Sequence, residues 1–282
     1  MGTLRRLTKA RESMIGLIVL GIFIIMSFAS PYFLSSGNLM AVLLGLSLEA
    51  IIAVAMVNLM VSGGFDMSVG SVVGFVGAAT ALMVKADFPI VFAVIIGLML
   101  GAAIGSFNGV IVAKIGINPF VTTLSSLSLF RGLTLILSQG QNISGLGDAF
   151  KTIGQARLLG IQMPIWYAII LMIVMDILLR KSRFFRQNYY IGGNEKAARL
   201  SGIQIDKMKI FNYMLTGLLA GFAGIVMASR LGAASNSAGT GMELRVITAV
   251  IIGGASLKGG EGSALGAFLG SFLMALVTNA LT

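Results

Sequence analysis

Long apolar runs separated by short polar breaks fill almost the whole chain. Runs at 14–29, 38–60, 68–84, 89–113, 118–138, 164–180, 209–231 and 263–281 approach the length that crosses the hydrocarbon core of a bilayer, about 30 Å, as a helix; a shorter one covers 244–252. The pattern predicts an all-α polytopic membrane protein with about nine transmembrane helices. A membrane β-barrel would instead show segments of about ten residues alternating between apolar and polar, and no such alternation runs through this chain. The first run follows a basic start, as a signal peptide would. It is too long for one, the Phe28-Ala29-Ser30 exit lacks a small residue three positions earlier, and further spans follow. It therefore reads as span 1, closed by Pro31 and the SSGN segment.

Composition agrees with a membrane solvent. Of 282 residues 57% are hydrophobic and 11% charged, with a mean hydropathy of +0.97, whereas soluble domains carry about 25% charged residues. Cysteine and histidine are absent, which removes disulfides, Cys/His metal sites, thiol nucleophiles and imidazole acid–base chemistry. The net charge of +10 raises nucleic acid as a partner until the basic residues are placed along the chain.

Their placement turns the charge into a topology signal. Arg5, Arg6, Lys9 and Arg11 precede span 1, and eight more of the twenty basic residues lie at 180–209. Six predicted spans separate the two groups, so both lie on one side, and the positive-inside rule makes that side cytoplasmic. Nucleic-acid binding loses its support, and juxtamembrane cations favour anionic lipid.

Glycine is patterned as well. Gly97, Gly101, Gly105 and Gly109 recur every four residues on one face of span 4; Gly217 and Gly221, then Gly262, Gly266 and Gly270, repeat the spacing. Such faces let helix backbones approach closely in lipid, so packing is the expectation. An internal repeat stands out: GGFDMSV at 63–69 and GSVVG at 70–74 match GGASLKG at 253–259 and GSALG at 262–266, with Gly260 and Glu261 inserted. Duplicated helix breaks of this kind build many transporters. The repeat orientation, parallel or inverted, stays open because 244–252 is too short to cross squarely.

Several polar residues sit where a bilayer penalises them. Asp66 either caps the helix that starts near Ser68 or lines a cavity at the Gly-Gly-Phe-Asp turn; the two roles are compatible. Glu49 has no basic residue within reach on its own helix and is expected to find a structural partner elsewhere, with an ion relay as the alternative. Asp176 and Arg180 are spaced to pair on one helix face. Span 5 opens INPFVTTLSSLSLFRG, with Pro119 in the first turn. Its hydroxyls at 122, 123, 125, 126 and 128 either bond back to their own helix or form a polar stripe suited to a polyol.

No catalytic pattern is present. There is no GxxxxGKS or GxxxxGKT phosphate loop, the serines lack a histidine base, and no acid pair marks a hydrolase. The connector at 181–208 carries GGNEKAARLSGIQIDKMK, read as a short amphipathic helix capped by Asn194 and ended at Gly202. It either lies on headgroups or docks a cytoplasmic partner.

GGNEKAARLSGI, together with SGGFDMSVGS, GINPFVTTLSSLSLFRGLT and VITAVIIGGASLKGGEGSALGAFLG, resembles the permease subunit of bacterial ABC sugar importers of the ribose type, the branch that includes ribose, galactose, xylose, arabinose and autoinducer-2 permeases. The likeness runs from about residue 36 to 281. It implies one transmembrane permease domain over 1–282 in the bacterial inner membrane, with 181–208 as a cytoplasmic coupling loop. A cytoplasmic ATPase, a periplasmic sugar-binding protein and a second permease copy, identical or related, would be its partners. The chain would hold no cofactor, ATP-Mg being bound by the ATPase. Carried onto matching positions, Gly63, Gly64, Asp66, Ser68, Asn118, Phe120, Thr122, Thr123 and Ser126 would border the translocation path. Gly193, Asn194, Glu195, Lys196, Ala198, Arg199 and Gly202 would face the ATPase. Family chains usually continue past the equivalent of Thr282 with a tenth span, so the resemblance implies a truncation or a lost span here. Two other readings remain: an ion-coupled secondary transporter using Glu49 and Asp66, or an inactive scaffold.

Overall fold

A computed structural model describes the backbone of residues 2–281 and the side chains from Glu12 to Leu281; the side chains of Arg5, Arg6, Lys9 and Arg11 lie outside the described residues. The helices in order are α1 (Gly2–Ala29), α2 (Ser36–Val61), α3 (Val69–Lys85), α4 (Ile90–Val110, prolonged by a π turn at Ile111–Ile115) and α5 (Pro119–Ser138). There follow β1 (Ile143–Ser144), α6 (Asp148–Gln155), a β2–β3 hairpin (Arg157–Leu158, Ile161–Gln162), α7 (Met163–Lys181), α8 (Arg183–Gly193) and α9 (Glu195–Leu200). The chain continues through α10 (Ile205–Leu231), β4 (Ala233–Ala234), α11 (Met242–Ile252) and α12 (Ala264–Ala280). The protein is an all-α polytopic membrane protein.

Among the described residues six helices are long and apolar enough to cross a bilayer: the Glu12–Ala29 part of α1, α2, α4 with its π turn, α5, α7 and α10. Two expected spans, α3 and α12, are apolar but only 17 residues long, about 25 Å at 1.5 Å per residue. The run at 244–252 is the 11-residue α11, about half of a crossing, because Gly253 and Gly254 stop it. The count of nine spans is therefore six full-length helices, two short ones and a half-helix.

The described residues form two compact units. The first comprises Met1–Gly63, Ile165–Ser201 and Arg245–Thr282. At its centre is α2, started by the Ser35 hydroxyl accepting from the Asn38 N–H and apolar around its whole circumference; Ala50 to Val57 are wholly buried. Helix α12 lies along α2, and Asn38 and Asn279 exchange side-chain hydrogen bonds at 3.2 and 2.8 Å. Helix α1 adds Ile15 and Val19 to Phe33, Val42, Leu273 and Leu276.

The second unit comprises Gly64–Pro164 and Gly202–Leu244. Its core is the α4–α10 crossing, where the expected glycine faces meet. A methyl group on Gly105 would lie 3.1 Å from the Met214 Cα, and one on Gly217 would lie 2.9 Å from the Gly105 Cα. Helix α3 packs on the neighbouring face of α10 through Gly77 and Gly224, and on α5 through the Phe75 and Phe130 rings. A short outer layer closes one end: β1 pairs with β4, and α6 presses Gly154 against the Arg230 backbone.

Candidate functional site

The first helix break carries a buried polar network within the second unit. Asp66 is 1% exposed, and its Oδ1 accepts both the Ser68 N–H at 2.7 Å and the Ser68 hydroxyl at 2.6 Å. The same Ser68 hydroxyl accepts from the Asn108 amide of α4 at 3.0 Å, and Asn108 Oδ1 in turn accepts from the Ser126 hydroxyl of α5. The Met67 N–H reaches Thr123 Oγ1 at 3.0 Å, and the Tyr213 hydroxyl of α10 donates to the Phe65 carbonyl at 3.1 Å. A loop of seven residues is thus tied to three helices, which supplies its buried polar groups with partners.

Four of the residues picked from the sequence meet there: Asp66, Ser68, Thr123 and Ser126. Asn118 is exposed and caps α5, its Oδ1 accepting from the Phe120 N–H at 2.8 Å. Phe120 is exposed and stacks at a tilt on Phe65, ring centres 6.4 Å apart. The Thr122 hydroxyl is buried without a hydrogen-bond partner. The hydroxyls of α5 divide in two: Ser125 and Ser128 are exposed and bond back to Val121 and Leu124, while Ser126 reaches across to α4. Asn108 and Tyr213 escaped the sequence reading. A lone amide inside the glycine stripe of α4 was the available signal for the first.

The second break, in the first unit, repeats the local chemistry with a different side chain. Ser256 Oγ accepts from the Lys258 N–H at 3.2 Å, two residues on, as Asp66 accepts from Ser68. One is a serine turn, the other an aspartate turn, and neither needs a charge. The carboxylate adds a second bond, to the Ser68 hydroxyl. Replacing Asp66 with serine should therefore keep the turn but lose that bond, lowering stability by about 1–3 kcal/mol in detergent unfolding. Asp66→Leu should lose more than the serine variant, because it leaves the Ser68 N–H buried without an acceptor.

This second break is also where the segment after α7 attaches. The connector at 181–208 holds the expected short helix, α9, and before it a second helix, α8, that the charge pattern did not announce. Helix α8 buries Phe185, Asn188 and Ile191; the Asn188 amide donates to Asn58 of α2 at 2.7 Å, and the Tyr189 hydroxyl donates to the Gly262 carbonyl at 2.8 Å. Burial pushes the Tyr189 phenol up to about 12, so it remains a donor at physiological pH. Gly192 lies against the Val61 carbonyl and the Gly259–Gly260 backbone, and the Gly260 N–H donates to that carbonyl at 2.8 Å.

Helix α9 projects from this seat. Asn194 Oδ1 accepts from the Ala197 N–H at 3.0 Å, and Gly202, at φ +82°, ends the helix as expected. Ala198 is buried; Gly193, Glu195, Lys196, Arg199 and Gly202 are exposed, and Leu200 is 90% exposed. Glu195 and Arg199 stand 3.8 Å apart. Elsewhere in the unit, Glu49 has the expected structural partner: its Oε1 accepts from Arg245 Nε at 2.6 Å. Arg180 bridges Asp176 and Glu12, each at 2.6 Å.

Broken apolar helices, glycine-tight crossings, buried polar turns and a projecting charged helix define a membrane transport subunit. The chain belongs to the family described as branched-chain amino acid transport system / permease component, which it matches over residues 38–282. It is 40% identical to the ribose import permease protein of Escherichia coli over 285 residues, covering 98% of this chain and 88% of that protein. The ribose import permease protein of Haemophilus influenzae is 38% identical, covering 96% and 84%. The L-arabinose ABC transporter permease protein of Azospirillum brasilense is 35% identical, covering 96% and 80%. No solved structure matches the chain.

Proposed function

We propose that this chain is the membrane-spanning subunit of an ATP-driven importer for a monosaccharide or similar polyol in the bacterial inner membrane. The relatives named for ribose and arabinose import support the cargo class. The observation that carries the reading is the build of 183–202: an exposed charged helix, α9, follows directly on α8, whose Gly192 end lies against a helix break. That is the shape of a lever between a cytoplasmic motor and a membrane gate. A partner ATPase binds ATP-Mg and grips α9; its closure draws on α8, and the breaks at Val61 and Gly260 shift with it. The chain itself hydrolyses nothing. Its N-terminus and 181–208 face the cytoplasm, a periplasmic sugar-binding protein delivers cargo on the other side, and a second permease copy completes the path.

Proteoliposomes containing this chain, its ATPase and its binding protein test the reading through uptake of labelled pentoses, with leucine run in parallel. ATP-dependent pentose uptake is expected, and uptake of leucine alone would reject the cargo class. Glu195→Arg should abolish uptake while leaving the fold intact, because an exposed i,i+4 pair is worth only about 0–1 kcal/mol. Normal uptake by that variant would remove α9 from the coupling role. Uptake driven by a proton or sodium gradient without ATP would favour the ion-coupled alternative.

A further inference from the structure

The hairpin at 157–162 breaks a rule of turn chemistry. Its register pairs Arg157 with Gln162 and Leu158 with Ile161, leaving Leu159 and Gly160 as a two-residue loop. Both have positive φ, +54° and +80°. A loop of this type selects Asn-Gly or Asp-Gly, because bulky side chains are strained in the left-handed region. Here the first position is leucine, and the side chain gains no packing in return: Leu159 is 84% exposed and Leu158 is 52% exposed. The other non-glycine residues with positive φ among the described residues are Asp87 and Gln139, both polar. A strained apolar tip held out from the protein needs a partner outside it.

The chain's course indicates which partner. The hairpin runs straight into α7 at Met163, and the Met163 N–H donates to the Ala156 carbonyl at 2.9 Å, fixing the foot of the hairpin to the start of that helix. Helix α7 is a 19-residue span, so its first turn lies at the edge of the hydrocarbon, and Trp166, the chain's one tryptophan, belongs to that turn. Tryptophan marks the interfacial belt of a bilayer. The tip therefore sits within a few residues of the headgroup layer, with exposed Arg157 at its base to meet phosphate.

We propose that this hairpin is an interfacial anchor: Leu158 and Leu159 dip into the acyl boundary and Arg157 engages lipid phosphate, setting the depth at which α7 enters the membrane. The absence of cysteine makes the test direct. A bimane label on Leu159→Cys in the full chain, in nanodiscs, should emit to the blue of the same label on Asp148→Cys. It should be quenched by brominated lipid and shielded from aqueous iodide. Equal iodide access at the two positions, with no lipid quenching, would overturn the proposal. Shielding that arises only on adding the soluble binding protein would also overturn it and make the tip a protein dock. A second label, on Leu158→Cys, should move toward water when Leu159→Asn is added. Asparagine suits the turn, so that shift reads anchoring and not unfolding; an unchanged depth would count against the proposal.

Discussion

Gly105→Leu should leave little folded protein, while Gly132→Ala should be neutral or stabilising. Both glycines lie within helices of the second unit, yet their surroundings differ. A Cβ on Gly105 meets the Tyr213 carbonyl group and the Met214 Cα, which are backbone atoms of the facing α10; Gly132 has nothing within 4 Å. Overpacking a core typically costs about 1–3 kcal/mol when side chains can give way. Backbone cannot rotate aside, so α4 and α10 would have to separate along the crossing that Gly101, Gly105 and Gly109 share with Gly217. The expected cost exceeds that range. Gly97→Ala should be milder, because Thr80 Oγ1 and Ile225 Cδ1 stand in the way and both can move. At Gly132, alanine removes backbone entropy from the unfolded chain and should gain up to about 1 kcal/mol. Thermal unfolding in detergent, read by size-exclusion profile, ranks the four proteins. A Gly105→Leu variant as stable as the wild type would reject the crossing.

That glycine stripe shows what a sequence of this kind discloses well. Residues at i, i+4 on an apolar helix have one efficient use in lipid, close approach of a second helix, and the partner stripe on α10 carries the same spacing. The Asn194 cap and the Gly202 stop were equally legible, because each answers to a local backbone need. The duplicated break was legible from its glycines, and the structure adds that Asp66 and Ser256 make the same i to i+2 bond. The shortness of the run at 244–252 was legible as well, whereas the runs at 68–84 and 263–281 read as spans although α3 and α12 are only 17 residues long.

Two features were hidden for physical reasons. Helix α8 buries Phe185, Asn188 and Ile191 at three-residue spacing, but Arg183 before them and Arg186 among them make the segment read as a solvated loop. Its polar anchors pair over long range, Asn188 with Asn58 and Tyr189 with Gly262, and no local pattern announces such a pairing. The network around Asp66 likewise depends on Asn108, which only the α4–α5 geometry brings to Ser68 and Ser126. Among the residues nominated for the path, those that joined the network lie at the break or on the buried face of α5. Asn118 and Phe120, nominated from the same resemblance, stand outside the network, one as the cap of α5 and the other against the Phe65 ring.

The attachment of α8 to the break makes the sharpest prediction about transport. Gly192→Ala should lower uptake per ATP hydrolysed by about tenfold or more, the consequence of shifting one conformational step by about 1.4 kcal/mol. A methyl group at this position would intrude on the Val61 carbonyl and the Gly260 N–H, whose 2.8 Å bond joins the end of α2 to the second break. Gly259 faces Gly192 so closely that its own Cβ would stand 2.8 Å from the Gly192 Cα, so neither side has slack. The methyl meets backbone, so the variant should also unfold at a lower temperature than the wild type, and its uptake is therefore read per ATP hydrolysed by the folded fraction. ATPase binding should survive, because α9 keeps its cap and its exposed face. Gly45→Ala on α2 is the control: within the same unit, with nothing within 4 Å, it should transport as the wild type does. Uptake and hydrolysis measured together in proteoliposomes separate the outcomes. Equal coupling in the Gly192 and Gly45 variants would mean that force does not travel through this contact. Loss in the Gly192 variant alone would place the transmission at the junction of Val61, Gly192 and Gly260.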